Sequence, residues 1–232
     1  MNIINMSATS IIIVRAAGEF LLLVALALLP SVSVYIDVGV IGAGVGELSV
    51  TEITQEALIL TTALITWYGA WRHPDRRGLL VLMAGFFSCI FIRELDSFLD
   101  YVWHGFWFWP AILMASASIT YVVVFCRNTV IGPLSNFVAT RSYFFILVGM
   151  ISLLVFSRTF GSGNLLWIEV MGEAYNHAFK SALQEGLELY GYLFIAYGTF
   201  KLWIKDFDSS SFAIDRLKNA QQKHAADGDA RR

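Results

Sequence analysis

Ionisable residues gather in the stretch RELDSFLDYVWHGFW, residues 93–107, which follows an otherwise apolar run. Residues three or four positions apart share a helix face, and one face of this stretch carries Arg93, Asp96, Asp100 and His104. Glu94 lies about 100° away around the helix axis. A guanidinium, carboxylates and an imidazole on one face are suited to ion pairing, proton transfer or metal binding.

Two further polar stripes occur elsewhere in the chain. In GEAYNHAFKSALQEGLELYGY, residues 172–192, the acids and imidazole at helical spacing are Glu173, His177, Glu185 and Glu188. In SVTEITQEALIL, residues 49–60, Glu52 and Glu56 lie one turn apart. A charge within a membrane span costs roughly 2.5–3.5 kcal/mol on insertion scales. We therefore expect the three stripes to converge on one polar site.

The composition indicates a membrane protein. Hydrophobic residues make up 57% of the 232 positions and charged residues 15%, whereas soluble domains have about 45–50% and about 25%. The net charge is −2, and no segment interleaves basic and aromatic residues, so we expect no nucleic-acid partner. Cys89 and Cys126 lie at different depths in their apolar runs, which predicts two free thiols.

Six apolar runs of roughly 20 residues are long enough to cross a hydrocarbon core about 30 Å thick. They cover residues 11–35, 53–71, 78–99, 108–126, 142–158 and 185–203. Lipid cannot satisfy backbone hydrogen bonds, and no run alternates apolar and polar residues, so helices are favoured over barrel strands. The sequence predicts an all-α fold: a polytopic bundle of six transmembrane helices within residues 1–205, followed by a polar cytoplasmic tail at 206–232.

Basic residues in the short connections predict the orientation of the bundle. They flank spans 2 and 3, spans 4 and 5, and the end of span 6: Arg72, Arg76, Arg77, Arg127, Arg141, Lys201 and Lys205. Cytoplasmic loops carry such an excess of arginine and lysine. Both termini are therefore predicted to be cytoplasmic, in a bacterial-type inner membrane, and the three polar stripes fall at the outer end of the bundle.

Three interpretations of the polar site stay open. In the first, Arg93, Arg158 and Lys180 neutralise part of the acid cluster, and the site only fixes helix packing. In the second, carboxylates and imidazoles bind a divalent metal such as Zn, Mn or Fe. In the third, neighbouring acids raise one another's pKa and serve an ion-coupled or proton-coupled transporter.

Three motifs, ELSVTEITQEALIL, FIRELDSFLD and ALQEGLELYGYLFIA, resemble the motif skeleton of uncharacterised bacterial multipass membrane proteins, with acids at the outer ends of helices 2, 3 and 6. This resemblance implies a six-helix membrane protein without an assigned activity. The pattern is also similar to intramembrane metal hydrolases of the alkaline-ceramidase type, which keep a polar metal site near one leaflet. The chain departs from those hydrolases because it has six predicted spans rather than seven. It also has only His104 and His177 on the relevant side.

The leading hypothesis is an integral inner-membrane protein whose outer-leaflet site acts on a lipid or lipid-linked substrate, as a metal-dependent hydrolase or transferase. The candidate metal ligands are Asp100, His104, Glu173 and His177. Glu56 and Glu188 are candidate general bases for a metal-bound water, and Arg93 is the candidate to bind a phosphate headgroup. The other members of the polar cluster are Glu52, Glu94, Asp96 and Glu185.

Two alternatives come from other functional classes. One is an ion-coupled or proton-coupled transporter that uses Glu52, Glu56, Asp96 and Glu188. The other is a non-catalytic membrane subunit whose acid cluster docks a membrane or periplasmic protein partner.

Overall fold

A computed structural model describes residues 8–206 of the chain, except 43 and 45–47. Every regular element within these ranges is a helix, which confirms the all-α prediction. The predicted polar tail lies outside the described residues from position 207 onward. The α-helices are α1 (Ala8–Tyr35), α2 (Val50–Arg72), α3 (Arg77–Glu94), α4 (Asp96–Leu99), α5 (Phe108–Tyr121), α6 (Ile131–Val138), α7 (Arg141–Ile151), α8 (Ser157–Phe160), α9 (Ile168–Met171) and α10 (His177–Lys201).

Turns of π-helix and 3₁₀-helix join several of these α-helices without a break. The π-helical segments are Ile36–Ile41 after α1, Val122–Cys126 after α5, Ser152–Phe156 after α7, Gly163–Trp167 before α9 and Leu202–Asp206 after α10. The 3₁₀ turns are Pro74–Arg76, Arg127–Thr129 and Gly172–Ala174. A π-helical turn closes its hydrogen bond over one more residue than an α-helical turn does. Such turns therefore change which side chains share a face of the helix.

Three helical stretches among the described residues are long and apolar enough to cross a membrane. They are Ser10–Ile41, Phe108–Thr129 and Arg141–Phe160, with mean hydropathies of 2.4, 1.8 and 1.9. The other predicted spans lie in α2, α3 and α10, which are helical but carry ionisable residues such as Glu56 and Glu188 along their lengths. These three helices support the prediction of a membrane protein with apolar helical spans.

The chain divides into two compact units. The first unit consists of Met1–Thr54 and Ser152–Leu193, and the second of Gln55–Ile151 and Phe194–Arg232. The division falls within α2 and α10, so each of these helices contributes to both units.

Small residues allow helices of the second unit to pack closely. A Cβ atom on Gly85 of α3 would lie 2.7 Å from the Cβ of Ser118 in α5, and one on Gly198 of α10 would lie 2.9 Å from the carbonyl oxygen of Ser142 in α7. Contacts between small residues are common where membrane helices approach. An apolar cluster of Ala70, Leu80, Val81 and Val122 is buried in the same unit.

Candidate functional site

Asp37 caps the beginning of α2 in the first unit. Its side chain is 1% exposed. One carboxylate oxygen accepts the Val50 backbone N–H at 2.7 Å, and the other accepts both the Thr51 N–H at 3.0 Å and the Thr51 hydroxyl at 2.6 Å. The first N–H groups of a helix have no partner within it and carry partial positive charge. Asp37 therefore satisfies donors that would otherwise be buried without acceptors.

Ser49 completes this cap. Its hydroxyl oxygen accepts the Glu52 N–H at 3.1 Å, so the first three amides of α2 all have side-chain acceptors. The sequence SVTE at 49–52 has the S-x-x-E spacing of a capping box, a signal that sequence reasoning missed when it assigned Glu52 only to the polar cluster. Glu56, one turn later in α2, is half-buried.

Glu188 is the buried acid of α10 in the first unit. Its side chain is 4% exposed, and Gln184 donates a hydrogen bond of 3.2 Å to its Oε1. The Arg158 Nη2 atom lies 3.9 Å from the same oxygen, and the Arg158 side chain is 49% exposed. At 3.9 Å the ion pair is weak, so the hydrogen bond from Gln184 is the stronger of these two contacts of Glu188. The neighbouring acid Glu185 is half-buried.

A groove of about 1210 Å³ lies in the first unit between the C-terminal half of α1 and the N-terminal half of α10. Apolar residues such as Ala27, Val34, Leu183 and Leu187 line much of it. Gly186 faces α1, since a Cβ there would make an ordinary contact of 3.7 Å with the Val34 Cγ2. The groove therefore offers a mainly hydrocarbon surface beside a candidate membrane span.

The groove becomes polar at the beginning of α10. Asn176 is the N-cap of this helix, because its Oδ1 accepts the Ala178 N–H at 2.9 Å. His177 and Ser181 also line the groove, with the His177 Nδ1 3.4 Å from the Ser181 hydroxyl oxygen. Glu173 lies just before them in the Gly172–Ala174 turn and is exposed. The groove thus combines an apolar wall with hydrogen-bonding groups at one end.

The predicted stripe of helix 3 lies in the second unit, and a break divides it. α3 ends at Glu94, Leu95 adopts φ −85° and ψ 17°, and α4 resumes at Asp96. The Arg93 Nη1 lies 2.9 Å from the Glu94 Oε1, so this pair joins sequence neighbours and not members of one helical face. Asp96 is exposed.

Asp100 organises the turn that follows α4. Its Oδ1 accepts the Gly105 N–H at 2.8 Å, and its Oδ2 lies 2.8 Å from the His104 Nδ1. Gly105 has φ 81°, a left-handed conformation that glycine adopts without steric cost. The Gly105 N–H, and after it the nearby His104 imidazole, lower the pKa of the Asp100 carboxyl, against a partial opposing effect of burial. The His104 side chain is 99% exposed.

The described residues contain no group of three or more His, Cys, Asp or Glu side chains that could hold a metal ion. Of the four candidate ligands, Asp100 and His104 are in contact with each other in the second unit. Glu173 and His177 belong to the first unit, where both are exposed. The metal therefore stays a prediction from the sequence, without an assembled ligand group to support it.

Comparisons with models of protein families, with curated proteins and with solved structures find no match to this chain. This result agrees with the resemblance to a group of membrane proteins that has no assigned activity.

Proposed function

We propose that this protein is an integral membrane protein that binds a lipid or lipid-linked molecule in the groove between α1 and α10. The observation that carries the proposal is the groove itself, about 1210 Å³ in volume and bounded by the most apolar of the three candidate spans. Small-molecule pockets typically have about 300–1000 Å³. The volume therefore has room for a long ligand.

The chemistry of the groove favours an amphiphile. Its apolar wall would gain hydrophobic contact with an acyl chain, while a polar headgroup would meet Asn176, His177 and Ser181. Each of these side chains donates or accepts hydrogen bonds. Glu56, Glu188 and Arg93 stay catalytic candidates from the sequence, and none of them lines the groove. The proposal assigns no metal, because the described residues offer no ligand group for one.

The proposal also includes the predicted topology. Six helices would cross a bacterial-type inner membrane with both termini in the cytoplasm, and the polar end of the groove would lie in the outer leaflet. The distribution of arginine and lysine supports this orientation. The transporter and subunit alternatives stay predictions.

A matched pair of substitutions tests lipid binding. Ala27 lines the groove, whereas Ala25 does not, and both are exposed residues of α1. In membranes containing a phospholipid with a photoreactive acyl chain, the wild-type protein should crosslink to that lipid at peptides from α1 and α10. Ala27→Phe should reduce the crosslinking severalfold by filling the groove, and Ala25→Phe should not. Equal crosslinking of the two variants would contradict the proposal.

A further inference from the structure

A second cavity, of about 520 Å³, lies in the second unit where the end of α2 meets α3 and α5. Its aromatic lining consists of Trp67, Trp71 and Tyr121, and the charged residue in its lining is Arg77. None of these residues belongs to the groove between α1 and α10. The cavity is therefore independent of the function proposed above, apart from its need for a membrane.

Arg77 is held at the cavity without an acidic partner among the described residues. Its Nε donates a hydrogen bond of 3.1 Å to the carbonyl oxygen of Ala70, which fixes the guanidinium against the last turns of α2. Neighbouring Arg76, in contrast, pairs with Asp75 at 2.8 Å. Arg77 is half-buried, and the terminal amino groups of its guanidinium are donors suited to a phosphate.

Aromatic residues mark this end of the second unit as the level of lipid headgroups. The rings of Tyr68 and Trp71 have centroids 5.8 Å apart, those of Tyr68 and Trp203 are 5.2 Å apart, and His73 lies 5.6 Å from Trp203. Amphipathic aromatic rings concentrate at the membrane–water interface. The Trp67 indole is fixed by a hydrogen bond of 3.0 Å to the Ser88 hydroxyl, so the wall of the cavity is preformed.

We propose that this cavity binds an anionic phospholipid. Its phosphate would accept hydrogen bonds from the Arg77 guanidinium, and the first carbons of its chains would lie against Trp67, Trp71 and Tyr121. A candidate span, Phe108–Thr129, forms one wall, so the chains would continue along its surface into the bilayer. Basic pockets between membrane helices bind acidic headgroups in this way. The apolar and aromatic lining favours a lipid over a free phosphate ion.

The experiment compares two phospholipids with the same acyl chains on the full-length protein. Native mass spectrometry of the protein in detergent measures the apparent Kd for the first molecule of dioleoyl-phosphatidylglycerol and of dioleoyl-phosphatidylcholine. The wild-type protein should bind the anionic lipid more tightly. Arg77→Gln should weaken phosphatidylglycerol binding about tenfold, the effect of losing a hydrogen-bonded charge. It should weaken phosphatidylcholine binding less, because the choline cation of that lipid already offsets the charge of its phosphate.

Two further variants control for general charge and test the cavity itself. Arg72→Gln removes the same charge from an exposed residue at the same end of α2 that does not line the cavity, and should change binding less than Arg77→Gln. Ala117→Phe fills the cavity from an exposed position while it keeps Arg77, and should weaken binding of the anionic lipid as well. Equal effects of Arg72→Gln and Arg77→Gln, full binding by Ala117→Phe, or no preference between the two lipids would each overturn the proposal.

Discussion

Asp37 joins the end of α1 to the beginning of α2 through a single carboxylate. We predict that Asp37→Ala lowers the free energy of unfolding by about 2 kcal/mol, the upper range for loss of a helix cap, since Val50 and Thr51 lose their acceptors. Ser49→Ala should cost about 1 kcal/mol, because it removes one acceptor. Thermal or denaturant unfolding in detergent measures both.

Asp75→Ala is the matched control for Asp37→Ala. Asp75 is an acid at the beginning of a helical turn, but its side chain is 63% exposed and pairs only with its neighbour Arg76 in the contacts described. Such exposed pairs contribute little. A loss of stability no larger in Asp37→Ala than in Asp75→Ala would show that the cap is energetically unimportant.

The Asp100 carboxyl should titrate below the ordinary pKa of an aspartate. Since the Gly105 N–H is the largest single cause and His104 adds a hydrogen bond and a charge, His104→Gln should reduce the lowering without abolishing it. The folded-state pKa lies below the unfolded value, so the turn stabilises the protein above the unfolded pKa, and this contribution is lost as the pH falls through the folded pKa. Carbon-detected NMR of the carboxyl measures the titration. A return to the ordinary pKa in His104→Gln would contradict the assigned cause.

Residue spacing predicted some of these contacts and missed others. The contact of Asp100 with His104 matches their predicted pairing, but it forms in the turn after α4 and not on a helix face. Asp37 contacts residues that are 13 and 14 positions away, and no local periodicity predicts such a contact. The S-x-x-E spacing of Ser49 and Glu52 was a signal for the beginning of α2 that the sequence analysis did not use, and it could not show that a distant carboxylate would share the cap.

At the level of helices, the contact between α3 and α5 depends on Gly85. We predict that Gly85→Ala lowers the free energy of unfolding by about 1–3 kcal/mol, as overpacking does, because its Cβ would lie 2.7 Å from the Cβ of Ser118. Adding Ser118→Gly should restore most of the loss, since it removes the side chain in the way. Gly18→Ala in α1 is the control, because a Cβ there meets nothing within 4 Å. Equal behaviour of the two alanine variants would contradict this packing.

Hydrophobic patterning predicted the positions of the helices better than their breaks and connections. Each of the six apolar runs is helical in the structure. The run at 78–99 is interrupted at Leu95, and the connection expected after residue 127 contains the short helix α6. Both differences arise because the apolar content of a segment indicates whether it is buried in lipid or protein, and not how its backbone is folded. Apolar content does not show where the backbone leaves the helical conformation, as it does at Leu95.

At the level of the whole molecule, the predicted topology assigns opposite sides of the membrane to the two ends of α3. In a background where Cys89 and Cys126 are replaced by alanine, Tyr101→Cys should react with a membrane-impermeant maleimide added to intact cells or spheroplasts. Asp75→Cys should react only after permeabilisation. Both side chains are well exposed, so access within the protein does not limit labelling. Reaction of both from one side would show that α3 does not cross the membrane.

The sequence predicted a helical membrane protein but not which neighbours its polar stripes face. Periodicity shows that Glu185 and Glu188, or Glu52 and Glu56, lie within a turn of each other, yet it does not show which neighbouring helix they face. The groove beside His177 could not be foreseen for the same reason, because its other wall comes from α1, some 140 positions earlier in the chain. Contacts between segments that are distant in the sequence can be identified only from the three-dimensional structure.

Substitutions and deletions in α1 should have different consequences, because Asp37 lies in the π-helical segment that follows this helix. Many residues of this helix, such as Ile12, Phe20 and Leu28, are exposed, so one apolar side chain could replace another as the sequence drifts. A deletion between the buried Pro30 or Ser33 and Asp37 is different, because losing one residue there would turn the Asp37 carboxylate by about 100° around the helix axis relative to them. The exposed positions of α1 are therefore free to vary in composition, while the spacing from Pro30 to Asp37 is fixed.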